Sequence, residues 1–597
     1  MNRKYVSALF SFTKGRRHFF LFTLLFMGTE LLLTFVAPLI LTVTFDSVLG
    51  GMPMSVPAYF AAIIRWMGGP EYLRTNLYLI GILAVVIYFL RGASTVLRSY
   101  TNNIGSERSI KELRDRLYHH VQRLPFAYHA KAMTGDLIQR STTDVDTVRR
   151  FLSGTFHEFA RMVALLVVAL PVMFGLHVPL TLITMSLMPF LVLTSVLFFR
   201  KIQKHYTAVE TREGQMYTVI QENLTGVRVV RAFARQKFEM DKFDDSNEKL
   251  REETLELNDT FAWLWTILDL ISGFQIALVI LFGVYFSVRG DLTVGQFTAF
   301  SSYVFSFLWP LRNFGRIIAD TSRTLVAAGR IQEILDEPEE EGLETGLTPP
   351  LSGDIVIRDL TFSYDGHTVF RNLDMAVKSG ETVAILGGTG SGKSTLVQLL
   401  QRLYDYDGGS ISIGGVELRE IHKGYLRSNV GIVLQEPFLY SKTVLENIAI
   451  KLDSPNEDLV YEAARIASIH DDIKSFERGY DTVVGERGVT LSGGQKQRMA
   501  IARAILTDCD ILVFDDSLSA VDAKTDAQIR RALKDRKAGV TTFIISHRIS
   551  TLKEADRIFV LRDGQVSESG THEELMALGG EYRRTHDIQT ATAEGGE

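Results

Sequence analysis

The chain has almost no cysteine, and its opposite charges nearly cancel. One cysteine, Cys509, stands among 597 residues, so an intrachain disulfide and a zinc site built from cysteines are both excluded. Lys and Arg number 64 against 69 Asp and Glu, a formal net charge of −5. That balance is far from the cationic surface of a nucleic-acid coat protein. We therefore expect no nucleic-acid partner, and we expect the functional parts to face a reducing cytosol.

Charged residues are also scarce for a chain of this length. They make up 22% of the sequence, whereas hydrophobic residues make up 46%. At about 150 residues per domain, 597 residues correspond to roughly four domain equivalents, well beyond one hydrophobic core. The composition therefore predicts a multi-part protein with a membrane part.

Six windows are apolar over the ~20 residues that a membrane-spanning helix needs. The first could instead be a signal peptide, but its apolar run exceeds the ~7–15 residues of such a segment and no small-residue cleavage site precedes Asp46. The third and fourth windows are joined by a tight turn at 175–179. The sequence predicts spans near residues 18–45, 75–98, 155–176, 178–200, 260–288 and 294–320.

Basic residues predict the orientation of these spans. They are abundant in the two long loops that follow spans two and four, while the opposite loops hold only Arg65, Arg74 and Arg289. Because cytoplasmic loops are enriched in Lys and Arg, both termini are predicted to be cytosolic.

The two long inner loops keep apolar residues at helical spacing. They are therefore predicted to continue spans two to five into the cytosol as long helices, with breaks at Leu124-Pro125 and near Thr225-Gly226. After about residue 330 the sequence becomes rich in Glu, Pro and Gly. We expect a transmembrane domain at 1–330, a linker at 331–352, a soluble α/β domain at 353–585 and a flexible tail at 586–597.

A glycine-rich segment follows an apolar strand run at 381–386 and precedes a helical pattern. It fits G-x-x-x-x-G-K-[ST] in the strand–loop–helix context that a phosphate-binding loop requires. Its backbone N–H groups can surround phosphate oxygens, Lys393 can bridge the β- and γ-phosphates, and Ser394 can hold Mg²⁺. The predicted ATP-binding residues are Gly387, Gly388, Thr389, Gly390, Ser391, Gly392, Lys393, Ser394 and Thr395.

A second apolar strand run, at 511–514, ends in Asp515. An acid there can hold Mg²⁺ through water beside the phosphates. The alternative is an aspartate that only caps a turn, but the phosphate loop upstream favours the metal.

Between the two strands lies Leu491-Ser492-Gly493-Gly494-Gln495. With this motif the chain resembles the ATP-binding cassette (ABC) transporters, specifically an exporter-type half-transporter of the multidrug or lipid type. Segments 134–138, 222–230 and 290–296 match the family as well, so the resemblance covers nearly the whole chain.

The resemblance implies a fold and a set of roles. The fold is a six-helix transmembrane domain with long cytoplasmic extensions, fused to an α/β P-loop domain with a RecA-like core, an antiparallel β subdomain and a helical subdomain. Segment 482–488 matches the exporter coupling segment. The implied roles are adenine stacking for Tyr364, Mg²⁺ and γ-phosphate sensing for Gln435, a γ-phosphate switch for His547, a clamp on the partner's ATP for Ser492, Gly493, Gly494 and Gln495, and a loop between the two sites for Ser519 and Asp522.

One residue departs from the family pattern at a catalytic position. The family usually has Glu after the second acidic strand, and this chain has Asp516. A misplacement of ~1 Å in a positioned base can lower the rate on the order of 100-fold. A heterodimer whose partner keeps a catalytic Glu explains this departure. The alternative is a homodimer in which Asp516 acts slowly through an extra water.

Two ionisable residues lie inside predicted spans, Glu30 in the first and Asp269 in the fifth. Such residues are costly in a membrane, which makes them candidates for a translocation path that favours cationic, amphipathic cargo. The alternatives are an interhelical hydrogen bond or exposure to an inner, water-filled vestibule.

Together, these features predict an ATPase that exports an amphipathic, drug- or lipid-like substrate by alternating access, with ATP and Mg²⁺ as cofactors. We expect a second half-transporter and membrane lipid as partners, and the cytoplasmic membrane as location. An ATP-gated channel or a regulatory subunit of the same fold is the alternative.

Overall fold

A computed structural model describes residues 3–485, 488, 490–517, 523–536 and 539–594 of the chain. It contains two compact units. The first unit comprises Met1–Arg123 and Ala132–Pro338, and the second comprises Leu124–Lys131 and Glu339–Glu597.

Helices form the first unit, as expected from its long apolar runs, with π-helical turns at Val43–Leu49, Arg140–Asp144 and Phe151–Thr155. The helices, including the short α6 that belongs to the second unit, are α1 (Arg3–Ser11), α2 (Arg17–Thr42), α3 (Ala58–Trp66), α4 (Gly69–Thr75), α5 (Tyr78–Arg123), α6 (Phe126–Lys131), α7 (Thr134–Gln139), α8 (Val145–Arg150), α9 (Phe156–Leu176), α10 (Val178–Thr225), α11 (Val227–Ala232), α12 (Gln236–Arg289), α13 (Val294–Arg312) and α14 (Phe314–Asp336).

Three helices are much longer than a membrane is thick. Helices α5, α10 and α12 have 46, 48 and 54 residues. At 1.5 Å per residue, α12 is about 80 Å long, whereas the hydrocarbon core of a bilayer is about 30 Å thick. Helix α5 ends just before Leu124-Pro125 and α10 ends just before Gly226, so both predicted breaks are observed.

Five helical segments of the described chain are long and apolar enough to cross a membrane: Arg17–Leu49, Tyr78–Arg123, Thr134–Leu176, Val178–Thr225 and Gln236–Arg289. The sixth predicted span, 294–320, is divided between α13 and α14, which meet at Asn313. Helix α13 nevertheless lies in the core of the unit, since Phe300, Tyr303 and Phe307 are at most 1% exposed. A sixth crossing stays a prediction.

Glu30 is buried between three helices. Its side chain is 5% exposed, and its carboxylate accepts a 2.7 Å hydrogen bond from Arg98 Nε on α5. Arg161 on α9 lies 3.7 Å away, and Arg98 also bonds His157. Glu30 therefore has the interhelical pairing that was the alternative interpretation, and a place on a translocation path stays a prediction.

Asp269 is different, because its side chain is 68% exposed although it lies 2.5 Å from Arg312. Its exposure agrees with either a path or a vestibule. Its role stays a prediction.

Replacing Glu30 by Gln should destabilise the first unit. Arg98 is 11% exposed, and removing one partner of a buried ion pair costs about 3–5 kcal/mol because the other charge stays buried. We expect a clear drop in the thermal unfolding midpoint, followed by tryptophan fluorescence in nanodiscs. Asp245→Asn is the matched control, since its pair with Lys249 is exposed on both sides and exposed pairs contribute about 0–1 kcal/mol. Equal midpoints for the two variants would contradict this account of Glu30.

Alternating strands and helices form most of the second unit. Its strands are β1 (Ile355–Tyr364), β2 (His367–Val377), β3 (Thr382–Gly387), β4 (Gly408–Ile413), β5 (Val416–Glu417), β6 (Val430–Val433), β7 (Ile511–Asp515), β8 (Thr541–Ile545), β9 (Arg557–Arg562) and β10 (Gln565–Gly570). Its remaining helices are α15 (Lys393–Leu400), α16 (Lys423–Asn429), α17 (Val444–Ile448), α18 (Glu457–Ile466), α19 (His470–Lys474), α20 (Gly493–Ile505), α21 (Ala523–Arg536), α22 (Ile549–Leu552), α23 (His572–Leu578) and α24 (Glu581–Glu594).

Two sheets organise this unit. The larger has the order β10-β9-β3-β8-β7-β6, and β9, β3, β8, β7 and β6 run parallel. The smaller is antiparallel, in the order β2-β1-β4-β5. Strand β3 is buried on both faces: Ala384 and Leu386 join one apolar cluster, and Val383 and Ile385 join the other. This explains its continuous apolar sequence.

The structure corrects two predicted boundaries. Helix α14 continues to Asp336, inside the predicted linker. Helix α24 occupies most of the tail that was expected to be flexible, because fully buried Tyr582 anchors it through a 2.7 Å hydrogen bond between its hydroxyl and His572 Nδ1. The polar composition of this segment does not report such an anchor.

Candidate nucleotide site

The loop between β3 and α15 has the backbone that a phosphate cradle needs. Gly390 and Gly392 have φ values of 83° and 97°, a backbone region that residues with a Cβ rarely adopt. A Cβ on Gly392 would also lie 2.6 Å from the ring of Phe370. Ser391 Oγ is buried and has no hydrogen-bond partner among the described residues. An unpaired buried hydroxyl in such a loop fits a phosphate ligand.

The side chain of Lys393 folds back onto the glycine-rich loop and contacts its backbone. Its Nζ donates to the carbonyl oxygens of Gly387 at 2.8 Å and Gly388 at 2.7 Å. Burial lowers the pKa of Lys393, while the negative charges of Asp515 and Asp516 oppose that shift. The ammonium group therefore lies between the glycine loop and two carboxylates, where it can contact phosphate oxygens.

Asp515 ends β7 beside the start of α15. Burial raises the pKa of Asp515 above its ordinary value, the charge of Asp516 adds to the shift, and Ser394 and Lys393 act against it. Because a bound cation favours the ionised carboxylate, Asp515 and Ser394 fit a Mg²⁺ site made of oxygen ligands. Mg²⁺ would neutralise charge on the β- and γ-phosphates there.

Asp516 lies between two polar side chains from neighbouring strand ends. Its Oδ1 is 3.2 Å from His547 Nδ1, and its Oδ2 accepts a 3.4 Å hydrogen bond from Gln435 Nε2. The backbone of Gln435 is itself held in place, because the buried Gln497 of α20 donates a 2.6 Å hydrogen bond to the carbonyl oxygen of Gln435. The shorter acid thus already has two partners within the site.

Tyr364 lies at the end of β1 and closes another side of the site. Its hydroxyl donates to Gln398 Oε1 at 2.7 Å, and its ring packs edge-on against Tyr404 at 5.0 Å between centroids. Burial raises the pKa of Tyr364, so the ring stays neutral and can stack on a base.

These side chains surround one cavity of about 620 Å³, which is a suitable size for a small-molecule ligand. Gly388 and Ser391 belong to its loop without lining it, and Val369, Ile545 and Ser546 line it although they were not among the predicted site residues. The predicted residues that line the cavity are Tyr364, Gly387, Thr389, Gly390, Gly392, Lys393, Ser394, Thr395, Gln435, Asp515, Asp516 and His547.

The signature segment, Leu491-Ser492-Gly493-Gly494-Gln495, does not line this cavity. Ser492 begins α20 with a capping box: its hydroxyl accepts from Gln495 N at 3.3 Å, and Gln495 Oε1 accepts from Ser492 N at 3.0 Å. Gly493 and Gly494 form the first turn of that helix. Ser519 and Asp522 lie outside the described residues, as does part of the predicted coupling segment at 482–488.

Comparison with known proteins identifies the family. Residues 20–311 match the ABC transporter transmembrane region, and residues 370–519 match the ABC transporter domain. An uncharacterized ABC transporter ATP-binding protein of Bacillus subtilis is 35% identical over 96% of this chain and 95% of its own length. The chain belongs to the ABC transporter family. It is a multi-pass membrane protein and an ATPase coupled to transport.

Other relatives of this ABC transporter carry functional names. An ATP-dependent lipid A-core flippase of Syntrophus aciditrophicus is 33% identical, with 86% of each chain covered. A putative multidrug export ATP-binding/permease protein of Staphylococcus aureus is 32% identical over 90% of this chain and 95% of its own length. The structure of a bacterial Atm1-family ABC exporter with ATP bound shares the fold, with a TM-score of 0.78, 24% identity and coverage of 96% and 99%.

Replacing Lys393 by Met should remove a charge from the phosphate cradle. We expect the affinity for a fluorescent ATP analogue with Mg²⁺ to fall about 100-fold, equivalent to about 2.7 kcal/mol. The measurement is equilibrium binding in nanodiscs. Lys553→Met is the control, because Lys553 is exposed and does not line the cavity. Unchanged affinity in Lys393→Met would exclude this loop as the phosphate site.

Proposed function

We propose that this ABC transporter exports an amphipathic, drug- or lipid-like molecule across the cytoplasmic membrane, with both termini on the cytosolic side. The main support is that one chain joins a nucleotide cavity to a helical unit whose helices are longer than a bilayer is thick. The names of the flippase and multidrug relatives support the class of cargo. Alternating access driven by ATP binding and hydrolysis is the mechanism.

Two copies of the ATP-binding part are needed for this mechanism. Ser492 and the following glycines offer a hydroxyl and helix-start N–H groups, a good clamp for a γ-phosphate, but they do not line the chain's own cavity. In a dimer, the Ser492 segment of each chain would face the nucleotide held by the other chain, and both sites would be complete. The assembly is thus a dimer of half-transporters.

We infer further that the dimer is a heterodimer and that this chain's own cavity is its slow site. Asp516 is one methylene shorter than the usual Glu, and it already contacts His547 and Gln435. A carboxylate held in this way is poorly placed to reach a water beyond the phosphates. The partner chain would supply a Glu, and Ser492 would complete that faster site.

A transport assay tests the proposal of export. In proteoliposomes containing the copurified assembly, ATP and Mg²⁺ should move a fluorescent short-chain phospholipid or an amphipathic cationic dye against its gradient. Omission of ATP is the control that should abolish this movement. A channel would only relax gradients, so cargo movement that stops at equilibrium would contradict the proposal.

Substitutions at Asp516 separate the two kinds of dimer. In the heterodimer, Asp516→Asn should leave most of the ATP turnover intact because the partner's site is the fast one, while Asp516→Glu should raise turnover severalfold by restoring a longer base. Phosphate release by the assembly purified from its native locus is the measurement. Loss of nearly all turnover in Asp516→Asn, together with recovery of only this chain, would favour the slow homodimer.

A further inference from the structure

The last helix of the chain contacts the loop that carries His547. Gln589 on α24 donates from Nε2 to the carbonyl oxygen of His547 at 2.6 Å and accepts, through Oε1, from the backbone N–H of Ile549 at 3.0 Å. A primary amide has one acceptor oxygen and two donor hydrogens on one plane. Gln589 therefore bridges the backbone on both sides of Arg548.

Three hydrogen bonds fix this turn between β8 and α22. Besides the two bonds of Gln589, the N–H of Arg548 donates to the buried Ser546 Oγ at 3.1 Å. A hydrogen bond that fixes the carbonyl group of His547 also fixes the ψ angle of that residue. The backbone conformation at His547 in turn determines the direction in which its side chain leaves the chain. The His547 side chain itself is 62% exposed, so packing alone does not hold it.

Helix α24 is anchored well enough to transmit this restraint. Its first residues are capped by Glu568, whose carboxylate accepts from the N–H groups of Glu581 and Tyr582. Tyr582 is fully buried and bonds His572. Gln589 lies about two helical turns beyond Tyr582, at 3.6 residues per turn.

We propose that Gln589 is a positioning residue for nucleotide recognition: it fixes the backbone of His547 so that this side chain meets the γ-phosphate next to Asp516. The proposal concerns this chain's own cavity alone. It does not depend on the cargo, on the partner, or on whether the site is fast or slow.

A second loop of the same site is held in the same way. Gln497 donates to the backbone carbonyl of Gln435, as Gln589 does to that of His547. Both held residues contact the carboxylate of Asp516 from different sides. The site therefore uses side-chain amides from outside the cavity to orient the two residues that flank Asp516.

The test compares Gln589→Ala with Gln565→Ala in the full-length protein in nanodiscs. Gln565 is the matched control because its Nε2 makes the same kind of bond, to the carbonyl of Arg371 at 3.0 Å, and neither residue lines the cavity. The first readout is the preference for a non-hydrolysable ATP analogue over ADP. Both nucleotides compete against a photoreactive ATP analogue, read on this chain's own band. The second is hydrogen exchange of the peptide containing Ile549.

We expect Gln589→Ala to lower the preference for the ATP analogue about 5-fold, with little change in ADP affinity, and to speed the exchange of the Ile549 amide. Gln565→Ala should change neither quantity. In a His547→Ala background, Gln589→Ala should cause no further loss of preference, because the effect acts through His547. Gln589→Glu keeps the acceptor for Ile549 and should preserve slow exchange at that amide while lowering the preference.

Two results would overturn the proposal. One is an unchanged preference in both Gln589 variants, whatever the thermal stability, since the restraint would then be structural only. The other is an equal additional loss in the His547→Ala background. Because no turnover or transport enters either readout, these results are distinguishable from a failure of the export or heterodimer proposals.

Discussion

Parallel pairing of four neighbouring strands is the constraint on which the nucleotide site depends. Strands β3, β8, β7 and β6 lie side by side, so their carboxyl ends meet at one edge of the sheet. That edge holds the phosphate loop after β3, His547 after β8, Asp515 and Asp516 at the end of β7, and Gln435 after β6. A slip of one residue in any of these strands would turn its side chains to the opposite face and disperse the site.

Asp516, the acid that is shorter than the usual Glu, lies at this same edge of the sheet. Asp516 stands where loops from both neighbouring directions converge, and its two oxygens face His547 and Gln435. Those two residues are in turn held at their backbones by Gln589 and Gln497. The two residues that flank Asp516 are thus held by side chains of α24 and α20, which lie outside the cavity.

Local patterns predicted what is local in this molecule. The phosphate loop, the strand that ends in Asp515 and the helix breaks before Pro125 and Gly226 are all encoded within short segments, and the structure contains them. The pairing of Glu30 with Arg98 joins residues 68 positions apart, and no periodicity reports it. The order of α24 depends on one buried tyrosine and two amide bonds, which polar composition conceals.

In the proposed dimer, the signature segment of this chain completes an ATP site on a second chain. The most direct measurement places a photoreactive benzoylphenylalanine at position 492 in the assembly and compares illumination with and without ATP and Mg²⁺. We expect a two-chain product that increases with ATP and contains the phosphate-loop peptide of the second chain. A yield that does not respond to ATP, or cross-links only within this chain, would contradict it.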